Sequence, residues 1–192
     1  PARARELGDL GSRFLNDRRP SLEAQICNLA DEIAYNNHDV DDGLRSGLIS
    51  LAQLNEVPLF ARHAAAVHAE YPNISARRHV HETIRRMIDA QVTDLLAESQ
   101  RRINEHKPDS VAMVLSAPPL IAFSEAMHSE NRAMKAFLRE NLYKHYEVLR
   151  MTNKAHRVIG DLFAAFAADL RLLPPQYRAM ADDTPQERVV AD

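Results

Sequence analysis

Apolar residues recur at helical spacing along most of this chain. Leu22, Ile26, Leu29 and Ile33 follow Ser21, a residue type that favours the N-cap position. At about 100° per residue these four occupy about 60° of arc, a narrow apolar stripe. The spacing predicts a helix from Ser21 that ends in the acidic turn Asp39-Val-Asp-Asp-Gly43, with Gly43 as its breaker. Shorter helices are expected over 44–55 and 59–70, separated by Val57-Pro58 and stopped by Tyr71-Pro72-Asn73. The longest helix should run from about Ser75 to Asn104, because Val80, Ile84, Met87, Ile88, Val92, Leu95, Leu96 and Ile103 keep a spacing of three to four.

Lys107-Pro108-Asp109 and Ala117-Pro118-Pro119 frame a less regular stretch, where residues 111–115 stay open between strand and extended loop. A further helix is expected from Ser124, carrying Met127, Met134, Phe137, Leu138 and Leu142. The last strong one follows Thr152, with Val158, Ile159, Leu162, Phe163 and Phe166 as its buried side, until Pro174-Pro175 stops it. No internal repeat or long linker interrupts this order. The expectation is a compact all-α bundle forming one region over 1–192: an arm over 1–20, a helical core over 21–180, and the start of a further segment over 181–192. Both ends read as cut.

Composition agrees with an all-α fold. Alanine and leucine number 28 and 21, against 11 valines, 9 isoleucines and 4 threonines, and there are only 5 glycines. Helix formers thus dominate β-branched and turn residues, which excludes a mainly β fold. A hydrophobic content of 45% is enough for a real core. The formal net charge of −3 gives no overall drive toward nucleic acid or an anionic membrane. No apolar run approaches the ~20 residues that span a bilayer, and the first residues lack the apolar core of a signal peptide. A single cysteine, Cys27, cannot form an internal disulfide, so a reducing, cytoplasmic setting is expected.

The nine histidines show no zinc-type Cys/His spacing and no His-Glu-x-x-His. A nucleophile elbow and a phosphate-cradling glycine loop are also missing from the sequence. The pairs Arg77-Arg78, Arg85-Arg86 and Arg101-Arg102 alternate with Glu82, Asp89, Asp94 and Glu98, the pattern of a solvated, ion-paired helix face. More informative is the helix from Ser21. Followed around the helix axis from Leu22, Asp31 and His38 fall opposite the apolar stripe, Tyr35 falls beside them, and Asp39 borders the same side. Two carboxylates and a tyrosine therefore share the edge away from the stripe. Pattern alone leaves open a water-facing surface or the lining of a polar ligand cleft.

The stretch from Ser21 to Leu44, with Ala30-Asp-Glu-Ile-Ala-Tyr35 and His38-Asp-Val-Asp-Asp-Gly-Leu44 at its centre, closely resembles a signature of the HD-domain deoxynucleoside triphosphate triphosphohydrolases, the dGTPase family. The likeness continues through Arg85-Arg-Met-Ile-Asp-Ala-Gln-Val-Thr-Asp94, Pro119-Leu-Ile-Ala-Phe-Ser124, Leu142-Tyr-Lys-His-Tyr146 and Arg150-Met-Thr-Asn-Lys-Ala155. It covers most of the chain from Ser21 onward.

The resemblance implies the C-terminal helical part of an enzyme that cleaves a dNTP, dGTP among the candidates, into deoxynucleoside and triphosphate. It implies a divalent metal, Mg2+ or Mn2+, held by a histidine, a His-Asp pair and a distant aspartate, and places that last ligand at Asp31. It makes Tyr35 a residue packing near the deoxyribose and Asp39 an acceptor for the 3′-hydroxyl. A hard cation takes carboxylate oxygen, and a ring crowding C2′ disfavours a ribonucleotide. The other ligands of the family pattern should precede Asp31, yet the first thirty residues contain no histidine. The 192-residue chain alone is therefore expected to be inactive. Homo-oligomers are also implied. Lys144, Arg150, Lys154 and Arg157 are candidate phosphate contacts, with a solvated face the equal alternative. Two other readings stand beside this one: another HD-type phosphohydrolase, and a helical oligomerisation module without catalysis of its own.

Overall fold

The structure, a computed structural model, describes residues 5–8, 11 and 19–191; the arm expected over 1–20 lies mostly outside them. Among the described residues there are helices and turns and no strand, as the all-α reading requires. The chain divides into two compact units, Pro1–Leu142 and Tyr143–Asp192.

In the first unit, α1 (Leu22–Ser46), α2 (Leu51–Leu54), α3 (Pro58–Glu70), α4 (Ala76–His106), α5 (Val111–Ser116) and α6 (Glu125–Leu138) follow in order. Both α1 and α3 pack against both α4 and α6. The shared core holds Val40, Leu54, Phe60, Met87, Met134 and Leu138, all with almost no exposure. The caps match the sequence signals. Ser21 Oγ accepts from Ala24 N at 3.4 Å, and Ser124 Oγ accepts from Met127 N at 3.3 Å. Pro58 starts α3 at a position where a missing N–H costs nothing.

Three details differ from the sequence-based expectation. The first helix does not break at Gly43; it continues to Ser46 and ends at Gly47, whose left-handed φ of 75° suits a residue without Cβ. Gly43 sits inside the helix, where Ile49 packs so close that its Cδ1 lies only 2.7 Å from where a Cβ would stand. Residues 111–116 form a helical turn capped by Ser110. Ile26 is 47% exposed, and the buried side of α1 instead includes Gln25, Ile33, Asn36, Asn37 and Val40.

Polar side chains then tie the extended stretch 119–124 to the bundle. Gln25 Oε1 accepts from Leu120 N at 3.1 Å and from Ile121 N at 3.2 Å, while its Nε2 donates to Pro20 O at 2.9 Å. Ser99 Oγ accepts from Ala122 N at 3.2 Å, and Arg102 Nη1 donates to Pro119 O at 3.1 Å. An extended segment has no ladder of its own, so these side chains satisfy its backbone groups.

The second unit is built on α7 (Tyr146–Ala168), followed by the short α8 (Pro175–Arg178) and α9 (Gln186–Ala191). His145 caps α7 by accepting from Glu147 N at 3.4 Å. The helix starts earlier than expected, and none of its side chains is buried. Val158, Ile159, Leu162 and Phe163, expected inside, are exposed, and Phe166 is half-buried. Among the described residues of this unit, the other helical pieces are short turns that cannot cover a helix of 23 residues.

Candidate functional site

Asp31, Tyr35 and Asp39 all lie on α1, in its middle and second half. They succeed each other every four residues, which brings them to one edge spanning about 12 Å along the axis. Asp31 is exposed, Tyr35 is 63% exposed, and Asp39 is half-buried. The opposite side of α1 fixes the orientation of that edge. There Asn37 Nδ2 donates to Ile33 O at 2.7 Å and to Gln91 Oε1 of α4 at 3.3 Å; on the flank beside Asp39, Lys135 Nζ of α6 meets Glu32 Oε1 at 3.1 Å. The structure therefore brings the three sequence-predicted residues together on a rigid element, as the helical spacing predicts.

These residues do not by themselves make a metal centre. Among the described residues there is no group of three or more His, Cys, Asp or Glu side chains that could hold an ion. One carboxylate on an exposed helix edge is too few donors for a Mg2+ or Mn2+ ion, which takes about six oxygen ligands and keeps some as water. Several histidines instead serve local structure. His79 Nε2 lies 3.1 Å from Ala64 O, His106 Nδ1 lies 3.1 Å from Arg102 O, and His81 Nε2 accepts from Arg77 Nε at 3.4 Å.

The arginine pairs of α4 form the ion-paired face that their alternation with acids indicates. Glu82 accepts from Arg85 and Arg86, and Glu98 accepts from Arg101 and Arg102. Hydrogen bonds from these guanidiniums hold both carboxyls down to about 2. The cations Arg150, Lys154 and Arg157 of α7 are exposed.

Beside the Asp31 edge lies a feature that the sequence pattern misses. A groove of about 530 Å³ runs between α1 and α4, lined by Ile26, Ala30 and Ala34 on one side and Ile88, Val92 and Leu96 on the other. Its polar end carries His38, Asp41 and His81, and His38 sits on the helix edge next to Asp31. Asp41 and His81 also line a neighbouring cavity of about 560 Å³ together with Arg45 and Arg77. The only sequence signal for the groove was the width of the apolar arc on α4, where Met87 and Ile88 or Leu95 and Leu96 exceed what one buried stripe needs.

Comparison with known proteins agrees with the resemblance. Residues 121–192 match a phosphohydrolase-associated domain. The chain is 55% identical over 188 residues to a deoxyguanosinetriphosphate triphosphohydrolase-like protein of Ralstonia pickettii strain 12J, covering 98% of this chain and 48% of that protein. A protein of the same description from Azoarcus sp. strain BH72 is 54% identical over 98% of this chain and 50% of its own length. One from Bordetella pertussis strain Tohama I is 56% identical, with 98% and 48% covered. The chain is thus homologous to deoxyguanosinetriphosphate triphosphohydrolase-like proteins and spans about half the length of the curated relatives it matches, their C-terminal half. No helix among the described residues is long and apolar enough to cross a membrane.

Proposed function

We propose that this chain is the part of a cytoplasmic, metal-dependent dNTP triphosphohydrolase that holds the deoxynucleotide, with dGTP among its substrates. Asp31 supplies one carboxylate to a divalent ion, Mg2+ or Mn2+, whose remaining ligands come from outside these 192 residues. When bound, such an ion would neutralise charge on the phosphate under attack. This chain's own residues would do the sorting. Tyr35 presents its ring to the sugar, so that a 2′-hydroxyl fits badly, and Asp39 accepts a hydrogen bond from the 3′-hydroxyl. An analogue that leaves a buried acceptor unpaired forfeits about 1–3 kcal/mol, which is a useful discrimination.

The observation that carries this reading is the alignment of Asp31, Tyr35 and Asp39 on one outward edge of α1, in a chain homologous to proteins of that description. Because the described residues lack a complete ligand set, the 192-residue chain alone should release no triphosphate. The test is Asp31→Asn in the full-length protein, with triphosphate and deoxynucleoside measured as products. Loss of turnover is expected. Unchanged turnover would favour a helical interaction module, a reading to which the exposed apolar face of α7 also speaks. Orthophosphate as the product would point instead to another HD-type phosphohydrolase.

A further inference from the structure

The groove between α1 and α4 exposes more apolar surface than a helix pair facing only water has reason to keep. Ile26 is 47% exposed and Leu96 is 66% exposed, with Ile88 and Val92 beside them. Contiguous apolar surface of this kind marks a contact surface more often than a solvent face. From Ile26 to Asp41 the groove runs about 22 Å along α1, which suits a helix of about four turns. Ala30 and Ala34 leave its floor shallow on one side, so a helix could settle close to the α1 backbone.

We propose that an amphipathic helix from the half of the full-length protein that this chain does not span lies in this groove. The proposal rests on the reading above that the chain is one part of a longer hydrolase. Two observations favour that occupant. The curated relatives are about twice as long as the matched stretch, so a partner segment of ample length exists in the same polypeptide. Packed helices also stand about 8–10 Å apart, so a helix in the groove would flank the Asp31 edge, where further ligands have to arrive. A second copy of the chain fits less well. The groove is apolar at the Ile26 and Leu96 end and polar at the end formed by His38, Asp41 and His81. A two-fold axis across it would set each apolar end against a polar one. A two-fold axis along it would face one concave groove with another and leave both without a ridge to fill them.

Cys27 offers a direct probe, because it is exposed and lies on the α1 edge shared with Ala34 and His38. The experiment joins these 192 residues to the unmatched half of the Ralstonia pickettii relative. It then compares Cys27 alkylation, read by peptide mass spectrometry, with that in the 192-residue chain. Labelling at least about tenfold slower in the joined protein is expected, a factor that corresponds to a modest protection free energy. Leu96→Glu in the joined protein should restore fast labelling. Val111→Glu, an exposed site outside the groove, should not. Equal rates in the two proteins would overturn the proposal, as would protection in the 192-residue chain that rises with its own concentration and so reveals a second copy. Should the joined protein fail to fold, hydrogen exchange on the stretches of the intact relative aligned with α1 and α4 gives the same reading, and fast exchange along the groove-facing side would overturn it. None of these measurements reads activity. An Asp31→Asn protein with full turnover would therefore sink the metal-ligand role of Asp31 while leaving the groove result legible.

Discussion

The Asp94 carboxylate takes both hydrogens that Ser124 offers: Oδ2 accepts the backbone N–H at 2.9 Å and Oδ1 accepts the hydroxyl at 2.6 Å. Ser124 in turn caps α6, so this pair fixes where the extended stretch 119–124 ends and where the next helix begins. Charged acceptors make the stronger hydrogen bonds. Asp94→Ala should cost about 1–3 kcal/mol of stability, because it strands a partly buried N–H and loosens the cap. Asp94→Asn, which retains one acceptor oxygen, should lose less. Urea unfolding monitored by circular dichroism measures both, and equal stability of Asp94→Ala and wild type would refute the role.

Gln25 does similar work from α1, and its place is unusual for a polar residue. It is buried on a face where helical spacing places apolar side chains. Its Oε1 serves two backbone donors, Leu120 and Ile121. Gln25→Met keeps the volume and removes both acceptor contacts, so about 1–3 kcal/mol per stranded N–H is at stake unless water enters. The expected result is a lower urea midpoint with an unchanged slope. A changed slope would mean that the stretch had detached, not merely lost two bonds.

Much of this was legible in the sequence, for local reasons. Ser21 and Ser124 cap their helices because a hydroxyl at that position meets a free N–H whatever the tertiary structure. The shared edge of Asp31, Tyr35 and Asp39 follows from helix periodicity alone. What escaped depends on partners. Periodicity gives α7 an apolar side but not whether anything covers it, and Val158 and Leu162 remain exposed. It also makes Ile26 a core residue, when the position of α4 leaves it at the groove. Gly43 has the composition of a breaker, yet what keeps it is Ile49, a contact that no local pattern encodes.

The Gly43 contact can be tested by a double-mutant cycle. Alanine is the better helix former by about 1 kcal/mol, so a solvent-facing glycine in mid-helix would gain from the change. At position 43 a Cβ would stand 2.7 Å from Ile49 Cδ1 and 2.9 Å from Ile49 Cγ1, and overpacking of this kind costs about 1–3 kcal/mol. Gly43→Ala should therefore be destabilising on balance, by about 1 kcal/mol. Ile49→Val removes the nearer atom. In the double variant the two losses should add to less than their sum, with a coupling of at least about 0.5 kcal/mol. Simple additivity would mean that the backbone yields elsewhere.

His63 should make the stability of the first unit depend on pH in the range just below neutrality. Burial holds its pKa below the ordinary 6.5, and the guanidiniums of Arg62 and Arg86 push in the same direction, with Asp89 opposing them. The buried Nε2 has no hydrogen-bond partner among the described residues, so a proton placed there would find no acceptor. A histidine with a depressed folded pKa binds its proton more readily in the unfolded chain. Its contribution is therefore fully present above pH 6.5 and is lost as pH falls through the folded value. Glu82 and Glu98, held down to about 2 by their arginines, act only below about pH 4.5 and leave that window clear. Urea midpoints measured between pH 7.5 and 5 should fall in the wild type and fall less steeply in His63→Gln. Parallel slopes in the two proteins would show that another group carries the dependence.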